Sequence, residues 1–345
     1  MGVVYNSRII TDSLVLCLDA ANTKSYPTKN FVSSKIYSSF GSSIRSSNYT
    51  VQYSDDNSNW TTAFTGVASN NTSCGIQQNT GSGSGSYGLH RYWRYVEGSP
   101  IQSHHPRVSR IILTDINGID YNLVVYTSDN CSDTGTYQVG TVSLDFGGTT
   151  WADLSTNGNT GTLTNGPTYS SANGGSLVFD GSNDYVTTSL VTSLSNNVTI
   201  SSWFRTFNAS QAGQMVIYNG SDANGNGYGF AVNNESTTNG EILLLYGAIA
   251  WINTGFFAAS NVIYNATMVI ESDNSNKLYI NGNLVHSGIS RNINTPTNHT
   301  EIGRNDYPAA RYFNGNIAQT QIYNRALSAA EIAQNYNALR GRFGI

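Results

Sequence analysis

The sequence predicts an all-β protein of antiparallel strands that ends in one short helix. Residues 277–286 alternate apolar and polar side chains around Asn281-Gly282, a dipeptide that favours a type I′ hairpin turn. Only 11% of the 345 residues are charged, against a usual value of about 25%, while glycine, asparagine, serine and threonine are abundant. Ser328 and Glu331 have capping-box spacing before an amphipathic run, which predicts a helix over 329–340.

The C-terminal segment has a specific order of elements. An alternating strand follows a turn glycine, residues 323–328 form a Tyr-Asn-Arg-Ala-Leu-Ser turn, and the capped helix comes next, with Gly341 as its expected stop. This order resembles the end of the laminin-G-like, concanavalin A-type jelly roll, a two-sheet sandwich. Further segments that resemble strands of this family lie at 176–186, 198–205, 265–270 and 277–286. The resemblance implies a jelly roll over about two thirds of the chain.

A long stretch of different character interrupts this pattern. Residues 9–27 resemble the opening strand of the jelly roll, but the expected continuation begins only at Gly148. Surface loops tolerate such insertions because the entropic cost of closing a loop grows slowly with its length. We therefore predict that residues 1–27 supply the first strand, that 28–147 form an inserted domain, and that 148–345 complete the jelly roll.

The insert also has the pattern of a β-sandwich. Alternating or apolar runs predict strands at 48–54, 91–96, 108–114 and 121–126. The successive segments Val-Gln-Tyr-Ser-Asp-Asp, Arg-Tyr-Trp-Arg-Tyr-Val and Arg-Ile-Ile-Leu resemble the galactose-binding-like, discoidin-type sandwich. We expect Trp60 and Trp93 to lie in the core of this second, smaller sandwich.

The supply of reactive residues argues against an enzyme. Glycoside hydrolysis needs two carboxyl groups facing each other across a sugar, whereas the glutamates are dispersed and the nearest pair, Glu271 and Asp273, precedes a turn. The five histidines lack metal-ligand spacing, and no Gly-x-Ser-x-Gly motif is present. The net charge of −4, without a cluster of lysine and arginine, also argues against a nucleic-acid partner.

Cysteine usage and hydropathy bear on the compartment. Cys17 lies in an apolar run and is expected to be a buried thiol, while Cys74 and Cys131 could pair or remain free. No apolar stretch approaches the ~18–20 residues of a membrane span, and the N-terminus lacks the pattern of a signal peptide. We therefore expect that the protein does not insert into a membrane. We also expect it to be made in a cytoplasm and not exported.

Aromatic side chains predict a sugar-binding surface. Trp203 follows an apolar strand pattern and is expected in the core, whereas Trp151, Trp251 and Tyr307 fall in predicted loops. Exposed rings stack on sugars, and amides and carboxylates bind their hydroxyl groups. The candidate carbohydrate-binding residues are Asn183, Asp184, Trp251 and Tyr307.

A metal is possible at one turn. Asp180 and Asp184 place oxygen ligands on a tight turn, as calcium prefers, and the laminin-G resemblance implies a calcium ion near the ligand face. The family commonly has an acidic residue after the isoleucine of its last core strand, where this chain has Ala318-Gln319. The alternative is that both aspartates hydrogen-bond within the turn. No other cofactor is expected.

The whole pattern resembles virion structural proteins of tailed phages, in particular those of marine cyanophages. The resemblance implies a non-enzymatic component of the head, neck, tail or fibre, present as a homo-oligomer among other virion proteins. It also implies weak contact with host-surface glycans. The alternatives are a lectin on a bacterial cell surface and a glycan-active hydrolase.

Overall fold

The chain divides into two compact units. Unit 1 comprises residues 1–26 and 148–345, and unit 2 comprises residues 27–147. The structure, a computed structural model, describes residues 9–22, 31–39, 47–54, 58–68, 76–82, 92–100, 107–115, 120–124, 141–145, 149–170, 172–307 and 311–345. The residues on either side of both predicted domain boundaries lie outside these ranges.

Strands dominate the described residues. In chain order they are β1 (Leu14–Asp19), β2 (Phe31–Ser39), β3 (Ser47–Ser54), β4 (Thr61–Ala68), β5 (Ile76–Ser82), β6 (Tyr92–Pro100), β7 (Arg107–Asp115), β8 (Asp120–Val124), β9 (Thr141–Asp145), β10 (Thr150–Trp151), β11 (Gly161–Thr164), β12 (Thr168–Ser170), β13 (Ser176–Asp180), β14 (Tyr185–Ser189), β15 (Val198–Thr206), β16 (Gln214–Asn219), β17 (Tyr228–Val232), β18 (Glu241–Tyr246), β19 (Ala250–Phe257), β20 (Tyr264–Ile270), β21 (Asn276–Ile280), β22 (Asn283–Gly288), β23 (His299–Ile302) and β24 (Asn314–Tyr323). The α-helix is α1 (Ala329–Leu339), and 3-10 turns lie at Ala172–Gly174 and Arg340–Phe343. Strands β2 to β9 belong to unit 2 and the others to unit 1.

Unit 1 is a sandwich of two antiparallel sheets. The first sheet has the order β12-β13-β24-β15-β20-β21-β22, with β1 also paired to β24. The second sheet has the order β10-β11-β14-β23-β16-β17-β18-β19. Apolar side chains from both sheets form one core, in which Phe204 of the first sheet packs against Phe230 of the second. The predicted all-β sandwich is confirmed.

Local sequence signals account for two connections of unit 1. Asn281 and Gly282 join β21 to β22 with φ angles of 51° and 78°, as a type I′ turn requires. Ser328 accepts the backbone N–H of Glu331, and the Glu331 carboxylate accepts the N–H of Ser328, so the predicted capping box is confirmed. The helix ends at Leu339, and the chain continues through a 3-10 turn to Gly344, which has a φ of 71°. Gly344, and not Gly341, therefore supplies the left-handed stop.

No helix in the described ranges is both long and apolar enough to cross a membrane.

Two tryptophans of unit 1 test the expected burial, and one of them differs from its expected place. Trp151 is fully buried in the core between the sheets, so its expected position in an exposed loop is wrong. The reason is that Trp151 belongs to β10, which pairs with β11. Trp203 is buried as expected, but it lies under the C-terminal segment, stacked on Tyr336 at 5.5 Å and on Phe343 at 4.4 Å. Cys17 is buried as predicted.

Unit 2 has two four-stranded antiparallel sheets, β5-β2-β7-β8 and β4-β3-β6-β9. Phe31 of one sheet meets Trp93 of the other edge to face, with ring centres 4.9 Å apart, and both side chains are fully buried. Trp60 is only partly buried, so its expected place in the core is wrong, and its ring lies beneath the Arg94 guanidinium at 4.0 Å. The resemblance to a discoidin-type sandwich stays a prediction. Cys74 and Cys131 lie outside the described residues.

The capping box predicts a pH-dependent contribution to stability. Hydrogen bonding by Arg325 lowers the pKa of Glu331 from its ordinary value of 4.5 to about 2. Because the folded-state pKa is the lower one, this contribution is complete above pH 4.5 and is lost as the pH falls toward 2. Glu331→Gln should cost about 1 kcal/mol at pH 7. In thermal unfolding, the difference in Tm between wild type and variant should be smaller at pH 3 than at pH 7. A difference in Tm that does not change with pH would contradict this role of the Glu331 carboxylate.

Candidate functional site

The outer face of the second sheet, turned away from the core, carries a row of residues in matched register. Phe230 and Ile302 point into the core, so the adjacent positions on β17 and β23 face outward, since strand side chains alternate. Successive cross-strand partners form the row Thr187, Glu301, Tyr218, Gly229, Leu245 and Trp251. Six strands, β14, β23, β16, β17, β18 and β19, therefore contribute to one surface.

Tyr218 forms the floor of this face. Its ring lies against Gly229, where an added Cβ would lie 2.1 Å from the carbonyl oxygen of Ile217 and 2.9 Å from the ring carbon Cδ2, so both the backbone and the ring need glycine here. Its hydroxyl donates to the carbonyl oxygen of Asn226 at 2.8 Å. Burial raises the pKa of Tyr218, and the negative charges of Asp222 and Asp306 raise it further. The apolar side chains packed with Tyr218 are Met215, Ala231, Leu245 and Trp251.

Arg311 brings together two of the sequence-predicted residues. Its guanidinium carbon lies 5.0 Å from the ring centre of Trp251 and 4.1 Å from that of Tyr307. The same guanidinium, on a residue only 4% exposed, donates hydrogen bonds to the carboxylates of Asp222 and Glu235. Burial raises the pKa of Asp222, and the charge of Arg311 opposes that rise. The result is a rigid cation between two aromatic rings, of which Tyr307 is 40% exposed.

A second charged group lies on β23 and in the loop after it. Arg304 donates twice to Glu301 Oε1, at 2.8 and 2.6 Å, and its guanidinium lies 3.5 Å from the ring centre of Tyr185. His299 Nε2 lies 3.7 Å from Glu301 Oε1 and 3.5 Å from Asp306 Oδ2. Burial raises the pKa of Glu301, while the hydrogen bond from Arg304 lowers it.

The loop between β16 and β17 joins the two groups. Asp306 accepts from the hydroxyl of Ser221 at 2.5 Å and from the backbone N–H of Ala223 at 3.1 Å. The side-chain nitrogen of Asn305 donates to Asp222 Oδ2 at 2.9 Å, and this carboxylate also receives Arg311. The two arginines, their carboxylates and both loops thus form one polar network above Tyr218.

In the turn between β13 and β14, the carboxylates accept hydrogen bonds from backbone N–H groups of the same turn. Asp180 Oδ1 accepts the backbone N–H groups of Ser182 and Asn183 at 2.8 and 3.2 Å. Asp184 Oδ2 accepts the backbone N–H of Asp180 at 3.0 Å. Burial raises the pKa of Asp184 to about 6, and the negative charge of Asp180 adds to the rise. The exposed Asn183 receives the side chain of Asn165 on its carbonyl oxygen.

This turn adjoins the network at its edge. A Cβ on Gly303 would lie 3.5 Å from the carbonyl oxygen of Asp184, and Tyr185 follows the turn to contact Arg304. Asn183 and Asp184 therefore lie beside the Arg304 side of the site, with Trp251 and Tyr307 on the Arg311 side. Within the residues that the structure describes, no three His, Cys, Asp or Glu side chains are grouped to hold a metal ion. Calcium binding at Asp180 and Asp184 stays a prediction.

Sequence reasoning did not single out Arg311, His299, Glu301 or Asp306. His299 and Glu301 carry a local signal, because residues two apart on a strand share a face. Arg311 carries none, since its carboxylate partners lie 76 and 89 residues away in the chain. His90, His104 and His105 lie outside the described residues.

Three solved structures illustrate the similarity of this chain to known folds. Domain 4 of an extracellular arabinanase from Geobacillus stearothermophilus, in complex with arabinotriose, is 18% identical, with 54% of this chain and 92% of that chain covered at a TM-score of 0.45. A Trypanosoma rangeli sialidase is 18% identical, with 55% of this chain and 31% of the sialidase chain covered at a TM-score of 0.43. A botulinum neurotoxin type C structure is 17% identical, with 55% of this chain and 48% of the neurotoxin chain covered at a TM-score of 0.45.

The comparison with curated proteins found no match. The comparison with protein families found a match that covers the strands of the site. The family described as the concanavalin A-like lectin/glucanases superfamily matches residues 180–333, which run from the end of β13 into α1. This region of unit 1, including the outer face around Arg311, therefore has the concanavalin A-like, laminin-G-like fold.

Proposed function

We propose that unit 1 is a glycan-binding module whose site is the outer face around Arg311. The observation that carries the proposal is the convergence of Trp251 and Tyr307, from separate elements, on one buried guanidinium. Rings held in this way offer a flat apolar surface to a sugar, and nearby carboxylates and amides accept its hydroxyl groups. The superfamily match, which includes lectins, supports the same function.

We propose further that the module is not an enzyme. Each carboxylate of the site has a partner: Arg304 binds one oxygen of Glu301, Arg311 binds Asp222 and Glu235, and Ser221 and Ala223 donate to Asp306. Hydrolysis of a glycosidic bond needs two carboxyl groups that face the sugar from opposite sides. The alternative is a hydrolase, which the position of His299 beside both Glu301 and Asp306 favours. Release of reducing sugar from oligosaccharides would identify that alternative.

Trp251→Ala and Tyr307→Ala should each weaken glycan binding by about fivefold or more, since a lost ring contact costs about 1 kcal/mol. The measurement is binding of multimerised protein to a glycan array, because a single shallow site has a Kd on the order of 1 mM. Phe257→Ala is the matched control: Phe257 is a 54% exposed aromatic residue on the same strand as Trp251. Equal losses in the control would contradict the proposed site.

We propose a tailed-phage particle as the setting of this binding. The support is the resemblance of the chain to phage virion proteins, together with a composition of few charges and many hydroxyl and amide groups. The partners would be other virion proteins and host-surface glycans, with many copies compensating for weak single contacts. Mass spectrometry of purified particles tests this setting. Absence from the particle would favour a bacterial cell-surface lectin.

A further inference from the structure

Two buried oxygen atoms of the site have no hydrogen-bond donor among the described residues. They are Glu301 Oε2 and Asn305 Oδ1, and both residues are only 1% exposed. Both hydrogen bonds that Arg304 donates to Glu301 go to Oε1, which leaves Oε2. The amide nitrogen of Asn305 faces the Asp222 carboxylate, so its oxygen is the atom left over. Buried acceptors without a donor are costly, which makes them sites for a group that donates.

The same site carries an excess of negative charge. Its carboxylates are Asp222, Glu235, Glu301 and Asp306, and its guanidinium groups are Arg304 and Arg311. Both guanidinium groups are occupied by carboxylates of the network. Among the described residues, Asp306 accepts hydrogen bonds from the hydroxyl of Ser221 and the backbone N–H of Ala223, and His299 Nε2 lies 3.5 Å from its Oδ2 without a hydrogen bond. An approaching ligand therefore meets a negative field, and the two unused acceptors lie enclosed beneath it.

We propose that this site takes saccharides that bring hydrogen-bond donors and no negative charge, namely neutral sugars and amino sugars, and that it rejects sialylated, uronate-containing and sulfated ones. The inference rests on the proposed glycan-binding function and specifies its ligand class. Hydroxyl and ammonium groups are donors, and they therefore suit a site that is rich in acceptors. A carboxylate or sulfate on the sugar brings further acceptors, and its negative charge is repelled by the excess negative charge of the site.

The expected discrimination is modest and depends on salt. Two excess negative charges at about 8 Å across water weaken the binding of an anionic sugar by about fivefold relative to its neutral counterpart. Dissolved ions screen exposed charges over this distance, since the Debye length falls from about 30 Å at 0.01 M salt to about 3 Å at 1 M. The preference should therefore narrow as salt is added.

The experiment uses the full chain, multimerised, on an array of matched glycan pairs. Each pair differs only in one group, such as lactose against sialyllactose, a glucoside against a glucuronide, and an amino sugar against its sulfated form. The neutral or amino member should bind about fivefold more tightly at low salt, with the gap closing near 0.5 M. Equal or tighter binding of the anionic members would overturn this inference and leave the proposed function intact. No binding to any glycan would overturn both.

A charge variant separates electrostatic repulsion from a poor fit. In Asp306→Asn the amide oxygen can still accept the backbone N–H of Ala223, and the amide nitrogen can donate to the hydroxyl oxygen of Ser221, but one negative charge is gone. The ratio of neutral to anionic binding should fall at least twofold at low salt, as expected when one of the two excess charges is removed. Asp273→Asn, an exposed change in the turn between β20 and β21, is the matched control and should leave the ratio as it is. An unchanged ratio in Asp306→Asn would contradict the electrostatic origin.

Discussion

Arg311→Met is expected to lower the free energy of unfolding of unit 1 by about 3–5 kcal/mol, which is a fall in Tm of about 10 °C. The cause is the carboxylate of Asp222, only 8% exposed, which would remain buried without its cation. Methionine keeps much of the side-chain volume, so the loss reports the charge and not a cavity. Glycan binding should disappear as well, because Trp251 and Tyr307 lose the group that they share.

A second change separates these two effects. Adding Asp222→Asn to Arg311→Met removes the unpaired charge and should recover part of the lost stability without restoring binding. Arg291→Met is the matched control, since Arg291 is exposed. Calorimetry on the three variants measures the stabilities. An unchanged Tm in Arg311→Met would mean that the guanidinium does not hold the network together.

Deletion of residues 27–147, with Tyr26 joined to Gly148 through a short flexible linker, should leave a soluble unit 1 that unfolds in one cooperative transition. The two sheets and their shared core are built from β1 and β10 to β24, without a strand of unit 2. Strand β1 pairs with β24 over Leu14 to Asp19, so the N-terminal segment carries its own contacts into the shortened chain. Replacing the long insert by a short linker also lowers the cost of closing that loop.

Calorimetry and near-UV circular dichroism measure the outcome. The shortened chain should keep a near-UV signal from the ordered aromatic side chains of unit 1, and it should keep the transition that the full chain shows for unit 1. An insoluble product, or one that lacks a cooperative transition, would mean that unit 2 belongs to the main core. The site residues around Arg311 lie in unit 1, so glycan binding should survive the deletion.

Signals that act between near neighbours explain what the sequence predicted well. The Asn281-Gly282 turn and the Ser328–Glu331 cap depend on backbone conformation and hydrogen bonds within a few residues, so their spacing alone specifies them. Alternating side chains predicted the strands for the same reason. Trp151 shows the limit, because its burial depends on β10 pairing with β11, and a two-residue strand leaves no periodic pattern.

The candidate site was predicted in part. Trp251 and Tyr307 were singled out as rings in predicted loops, and the structure brings them to the same guanidinium. Trp251 nevertheless lies on β19, and its partial burial comes from its place on the outer face beside Leu245. The Asp180–Asp184 turn was recognised from its composition, but its carboxylates hydrogen-bond within the turn.

The sequence by itself determined the fold class, the hairpin, the helix with its cap and the supply of aromatic and amide groups. These follow from periodicity and from contacts between residues close in the chain. Only the tertiary structure decided which charges meet. Arg311 joins Asp222, Glu235, Trp251 and Tyr307 because the order of strands in the second sheet places the strand of Trp251 and the loops of the other three on one face. Sheet order arises from pairings between distant strands, and no local pattern encodes them.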